Sequence, residues 1–301
     1  MKIKRREFGK LLGAACLGAT GSAKANEYFA GWPDSYGMLT DTTLCIGSNC
    51  RKCEEACKKV NNLPPHKTPL SDDSVFEKSR RTDSENFTVV NRFENAADPE
   101  RPIYVKKQCM HCNEPACASA CLVKAFTKTP EGLVIYNKDV CIGCRYCMVA
   151  CPFNIPSYDY FDAFQPQVRK CTMCYDRIKE GKIPACAEIC PKEAITFGKR
   201  KDLVDLARDK IRDHPDNYIH HIFGEHEAGG TGWIYLAGID YGKIGFPDDL
   251  GQTPYPEYTR GFLSAVPLVL IIWPVMLIGF QKLSQRKENT SKQIRSSKEE
   301  G

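Results

Sequence analysis

Cysteines at tight, repeated intervals dominate the middle of the chain. The stretch from residue 109 reads CMHCNEPACASAC and, nineteen residues later, CIGCRYCMVACP, which places eight cysteines within 43 residues. The second group is Cys141-x2-Cys144-x2-Cys147-x3-Cys151, followed by Pro152. Iron in sulfide clusters is tetrahedral and is matched by soft thiolate donors. This spacing is the bacterial 4Fe-4S run, in which three cysteines hold one cluster and the fourth reaches its neighbour. The x2 steps let one short loop wrap a cluster, and the x3 step carries the chain across to the next. The first group, Cys109-x2-Cys112-x4-Cys117-x3-Cys121, is the same device with two extra residues in its middle gap and Leu122 in place of the proline. Structural zinc and disulfides are the alternatives, because paired C-x2-C steps also build zinc ribbons. A ribbon does not account for four closely spaced cysteines followed by proline.

Two more quartets flank this inner pair. Cys45-x4-Cys50-x2-Cys53-x3-Cys57 lies before it, and Cys171-x2-Cys174-x11-Cys186-x3-Cys190 with Pro191 lies after it. The C-x4-C-x2-C opening of the first also begins the plant-type 2Fe-2S pattern, whose fourth ligand is remote. Here Cys57 follows at x3, which favours a 4Fe-4S loop with Ser48-Asn49 inserted as a small polar bulge.

The elements that must position these loops are short. Ala125–Thr127 and Leu133–Tyr136 flank Thr129-Pro130-Glu131-Gly132 and read as a β-hairpin between the two inner quartets. Phe87–Phe93, Ile103–Val105 and Ala194–Phe197 read as strands. The last repeats the Ala-Phe-Thr stretch after Cys121 in position, a sign of internal duplication. Leu203, Leu206, Ala207 and Ile211 recur at helical spacing until Pro215. Ser71–Asn86 is rich in charge and serine without a period and reads as a surface loop. His214, His220, His221 and His226 have no metal- or haem-ligand spacing, and Gly229–Gly232 is not a phosphate loop, since a strand-like WIYL follows where a helix is required.

Both ends carry targeting signals. Arg5-Arg6, a short weakly apolar run and Ala23-Lys24-Ala25 form a twin-arginine export signal over residues 1–25. Its removal takes Cys16 and leaves sixteen of the seventeen cysteines. That route exports folded proteins, so clusters can be inserted in the cytoplasm, and a cysteine-rich exported chain need not be a disulfide framework. Residues 261–280 are uncharged and long enough to span a bilayer, with Pro267 and Pro274 tolerable there. The basic tail 281–301 against the single Arg260 places the tail in the cytoplasm and the cysteine domain outside. The net charge of +5 is modest, and no basic face with interleaved aromatics suggests nucleic acid.

With all four quartets placed, the chain resembles the four-cluster ferredoxin-like subunits of membrane-bound respiratory oxidoreductases. It is most similar to the HybA family, the iron–sulfur subunit of a periplasm-facing nickel–iron hydrogenase. The likeness rests on YGMLTDTTLC, VKKQCMHCNEPAC, DVCIGCRYCMVACPFNIP and KCTMC…PACAEICP, and on the order of signal, quartets and span. Formate dehydrogenase beta subunits share the quartets and the anchor. The resemblance implies an α+β fold of tandem bacterial-ferredoxin-like dicluster modules, loop-rich, with one C-terminal transmembrane helix. It also implies four 4Fe-4S clusters with crossed ligand sets. Cys45, Cys50, Cys53 and Cys190 hold the first; Cys109, Cys112, Cys117 and Cys151 the second. Cys121, Cys141, Cys144 and Cys147 hold the third; Cys57, Cys171, Cys174 and Cys186 the fourth. The x4 gap makes Cys45 the departure from the family pattern.

The expected organisation is a signal at 1–25, a cluster domain at 26–215 with a polar insertion near 61–101, a Gly-rich extension at 216–260, the span, and the tail. Sixteen cysteines make four sets with none left for a nickel–iron site, and no nucleophile–base constellation is present, so the chain is expected to move electrons rather than convert substrate. Its expected partners are a catalytic oxidoreductase subunit, most simply a nickel–iron hydrogenase, and an integral membrane quinone-reactive or cytochrome b subunit in the inner membrane. A formate dehydrogenase or other molybdenum or tungsten enzyme is the alternative catalytic partner, and a secreted disulfide or zinc module the alternative class. Lys106, Lys107, Arg145, Arg169 and Lys170 lie beside the cysteines and serve either to raise cluster potentials or offset cluster charge, or as solvated surface.

Overall fold

A computed structural model describes residues 34–299 apart from 49, 96–97 and 163–165, with side chains described as far as residue 291. The twin-arginine reading of residues 1–25 therefore lies outside the described residues. In chain order the elements are β1 (Tyr36–Asp41), α1 (Lys52–Val60), β2 (Val89–Phe93), β3 (Ile103–Lys107), α2 (Ala116–Ser119), β4 (Phe126–Lys128), β5 (Val134–Tyr136) and α3 (Tyr146–Ala150). They continue as β6 (Ser157–Tyr158), β7 (Val168–Arg169), α4 (Tyr175–Lys179), α5 (Ala185–Glu188), β8 (Ile195–Lys199), α6 (Arg200–Asp213), β9 (Trp233–Leu236) and α7 (Tyr255–Glu299).

The main sheet is β8-β1-β9, with β1 antiparallel to β8 and parallel to β9. β1 and β9 are almost wholly buried, as apolar strands covered on both faces must be. The Trp233 indole donates to the Thr40 hydroxyl at 2.8 Å, so the largest core side chain leaves no orphan donor. The Gly-rich stretch 216–260 supplies β9 to this sheet. WIYL is an apolar run that needs cover, and Phe223, Tyr241, Ile244 and Phe246 pack into the same core as the cysteines.

Helix α6 covers the sheet with Leu203, Val204, Ala207 and Ile211 against Leu39, Ile234 and Leu236. Val204 takes the place expected of Leu206, which is 38% exposed. At about 100° per residue, Val204 falls nearer the middle of the stripe set by Leu203, Ala207 and Ile211. β4 and β5 form the hairpin between the inner quartets.

The insertion is more than solvated chain. β2 pairs antiparallel with β3, from Val89 opposite Lys107 to Phe93 opposite Ile103. Phe76, read as part of a surface loop, is buried with Val90 and Tyr104. Arg80 grips Glu54 of α1 at 2.6 Å, and the Glu54 carboxylate also accepts the Val90 amide at 2.6 Å. A buried carboxylate needs such partners, and these tie the insertion to the helix that carries Cys53 and Cys57.

Helix α7 is far longer than the expected 261–280 span. Its most apolar 18-residue window is exposed and has a mean hydropathy of 2.4, and the helix is long and apolar enough to cross a membrane.

Candidate metal centres

Each C-x2-C loop turns on a residue with left-handed backbone. Arg51 lies between Cys50 and Cys53, His111 between Cys109 and Cys112, Gly143 between Cys141 and Cys144, Arg145 between Cys144 and Cys147, and Met173 between Cys171 and Cys174. Four of these five are not glycine and cost of order 1–3 kcal/mol each, a strain that concentrates at functional sites. The turn aims backbone amides back at sulfur. His111 N donates to Cys109 Sγ at 3.5 Å, Gly143 N to Cys141 Sγ at 3.5 Å, and Met173 N to Cys171 Sγ at 3.3 Å. Gly47, in the x4 gap, has no room for a side chain: a Cβ there would lie 1.9 Å from the Tyr104 ring.

A second repeated turn follows three of the quartets. Lys124, Asn154 and Glu193 each stand three residues after a last cysteine, in left-handed conformation, and donate back to the carbonyl of Cys121, Cys151 or Cys190. Leu122 leaves this turn unchanged, so proline favours it without being required.

The thiols assemble across the quartets. Cys45, Cys50, Cys53 and Cys190 border one cavity of about 470 Å³, measured to its open mouth. Cys57, Cys171, Cys174 and Cys186 border a second of about 320 Å³. Helix α1 makes both possible, since Cys53 and Cys57 are one turn apart on the same face. In the inner pair, the thiols acting on Cys112 are Cys151, Cys109 and Cys117, with the Lys128 ammonium opposing them. Those acting on Cys147 are Cys121, Cys141 and Cys144. All sixteen described cysteines are free thiols, and among the described residues no three Cys, His, Asp or Glu side chains converge on a single ion. Zinc at about 2.3 Å from each sulfur needs such convergence. Cysteines set around a cavity, with amides aimed at sulfur, fit a multi-iron cluster instead.

The sets also have an order. Cys53 is a neighbour of Cys186, Cys171 of Cys109, and Cys117 of Cys147. The succession is therefore Cys45 set, Cys57 set, Cys109 set, Cys121 set. At the last, Cys144 is exposed, and Leu122, Ile142, Tyr146 and Val149 leave apolar side chains uncovered around it.

Burial pushes the thiols up, to about 11 at Cys45 and about 12 at Cys57 and Cys117. Iron ligation must displace those protons. Stripped of iron by a chelator, the chain is expected to lose stability as pH rises from about 9 through about 12. The folded thiols hold protons that unfolded ones release above 9, so the unfolded state gains. Thermal melts across that range check this, and a loaded chain should not show the alkaline loss.

The five flanking cations divide. Arg145 is exposed over Tyr158 and Tyr160, Arg169 pairs with Asp159, and Lys107 is half-buried over Phe93 and Phe246. Lys106 and Lys170 are buried, 2% and 4% exposed. Lys170 donates to the carbonyls of Val134 and Cys171, over the Phe126 ring. Sequence reasoning missed Lys128, whose ammonium donates to the carbonyls of His111 and Cys112. Burial pulls Lys128 down to about 8. Nothing in its spacing from a cysteine marked it, because the hairpin brings it back.

Fold and thiol array together define an iron–sulfur protein of the dicluster class, and residues 101–200 match the 4Fe-4S dicluster domain family. The chain belongs to the HybA family of iron–sulfur electron-transfer subunits. It is 35% identical, over 92% of its length and 93% of the relative's, to the hydrogenase-2 operon protein HybA of Escherichia coli O157:H7. It is 56% identical over 95% of its length to a protein of Nitratidesulfovibrio vulgaris, covering 78% of that protein. It is also 30% identical, over 72% of its length, to the iron–sulfur subunit of the nitrate-inducible formate dehydrogenase of Escherichia coli strain K12, covering 73% of it.

Proposed function

We propose that this chain relays electrons through four 4Fe-4S clusters, from a catalytic subunit outside the membrane to a quinone-reactive or cytochrome b partner within it. When bound, each cluster supplies one-electron redox chemistry at a potential set by its surroundings. The residues of the chain do the rest. Cys45, Cys50, Cys53 and Cys190 hold the first cluster, and Cys57, Cys171, Cys174 and Cys186 the next along the line. Cys109, Cys112, Cys117 and Cys151 hold the third along the line, and Cys121, Cys141, Cys144 and Cys147 the last. Loop amides donate to sulfur, and the core buries Cys57, Cys171 and Cys186 of one middle set and Cys109 and Cys117 of the other.

The observation that carries this reading is the single-file order of four thiol sets. The last set adjoins α2 and α3, and α2 touches α7, with Glu257 and Arg260 acting on Glu114 beside it. One end of the line thus sits at the root of the apolar helix, and the other opens at the Cys45 cavity. The helix anchors the chain with its basic end in the cytoplasm and the cysteine domain in the periplasm, in keeping with the twin-arginine signal. Removing residues 255–299 is expected to move the chain from the membrane fraction to the soluble one; retention at the membrane would mean that the anchor lies elsewhere.

The catalytic partner is a nickel–iron hydrogenase, on the strength of the HybA relationship over nearly the whole chain. Elemental analysis of the complex copurified in mild detergent tests it. Nickel with abundant iron is the expected result. Molybdenum or tungsten would move the chain to a formate dehydrogenase-like complex, and zinc without excess iron would remove the electron-relay reading.

A further inference from the structure

Among the described residues, Lys106 is the one cation that borders both cavities of the outer pair. It sits on β3, opposite Val90, and is 2% exposed. Its ammonium donates to Gln108 Oε1 at 2.9 Å and lies 4.5 Å from the centre of the Trp233 ring. Its mooring is itself held. The Gln108 side-chain amide donates to the Tyr235 hydroxyl, and that hydroxyl donates to the Lys106 carbonyl at 2.8 Å. Among the described residues no carboxylate pairs with the ammonium. The groups acting on it are thiols from both sets: Cys53 of the first, and Cys57, Cys171 and Cys186 of the second.

A lone buried ammonium is expensive, several kcal/mol in effective terms, unless negative charge surrounds it. An apolar side chain would fill this slot between sheet and helix at no such cost. The charge is accounted for if each cavity holds a ligand set of thiolates. A neutral Gln108 and an aromatic face orient the ammonium without neutralising it, which leaves its field directed at both cavities.

We propose that Lys106 is a shared counter-charge for the two outer-pair sites, raising both reduction potentials together. This rests on the reading that the two cavities hold clusters. An added electron makes a site more negative, so a fixed cation favours the reduced state of each. Because one ammonium serves both, it lifts them in step and adds no barrier between them. Lys106 is a positioning charge, not a ligand.

The test is an EPR-monitored redox titration of the full chain in its membrane complex, with iron and sulfide assayed for each variant. Lys106→Met should lower two of the four midpoint potentials, with reduction of each disfavoured by about tenfold, or 59 mV for a one-electron couple. The other two should stay in place. Lys106→Arg, which keeps the charge, should hold all four near their original values. Lys106→Gln, which keeps a polar contact with Gln108 and removes only the charge, carries the same expectation if the methionine variant fails to load iron. The proposal is overturned if no potential moves, if all four move alike, or if arginine shifts them as far as methionine does. An unaltered chain without iron and sulfide would instead sink the cluster reading itself.

Discussion

Replacing Cys190 with serine is expected to abolish one cluster and stop electron delivery through the complex, while the inner pair survives. Cys190 borders the Cys45 cavity from the far end of the cysteine region, beside Pro191 and Lys192. Serine oxygen is a hard donor and a poor match for iron in a sulfide cluster. On the proposed reading of four clusters in single file, iron content should fall by about a quarter. Electron flow should fall almost completely, because nothing bypasses a missing link. Iron analysis, EPR and quinone reduction by the whole complex measure the three effects. Intact electron flow with one EPR signal missing would show that the Cys45 set lies off the path.

Glu54→Ala should be the most damaging substitution that touches no thiol. Its carboxylate is 1% exposed, accepts from Arg80 and the Val90 amide, and lies 3.9 Å from Arg51. Removing it leaves Arg51, itself 1% exposed, and Arg80 with backbone carbonyls in place of their carboxylate, and leaves a buried amide unpaired. Breaking such a network costs about 3–5 kcal/mol, or a fall in melting midpoint on the order of 10 °C for a chain of this size. Glu54→Gln keeps an acceptor for Val90 and should cost less. Lys59→Ala, which removes an exposed partner of Glu55, should cost under about 1 kcal/mol. Thermal melts of the three variants rank them, and equal losses would mean that burial of the pair is not what matters.

The candidate sites were legible because the chemistry they suggest is written in residue type and spacing. Thiolates at x2 and x3 steps admit few other uses, and the strand WIYL and the stripe from Leu203 to Ile211 carry ordinary periodicity. What escaped lacks any period. Phe76, Arg80 and Thr82 enter the core singly from a polar stretch, each held by partners distant in sequence. Helices α2 and α5 have four residues each and are too short to show a face. Left-handed backbone at Arg51, Arg145 and Met173 gives no sign in residues that rarely adopt it. The difference between buried Lys106 and exposed Arg145 depends on strands brought from elsewhere.

The main sheet has a consequence for how the protein is made. β1 pairs Leu39 with Thr196 on one side and with Ile234 on the other. At about 5–20 residues per second of synthesis, the first strand waits on the order of ten seconds or more for its neighbours. Cys151, the last thiol of the inner pair, is made well before Cys190, the last of the outer pair. The nascent chain can therefore complete its inner half early, while an open strand edge, prone to pairing with other chains, persists until the end. A prematurely terminated product lacks both the strands that close the sheet and the last thiol of the outer cavity. Completeness of translation is thus read out by whether the sheet can close.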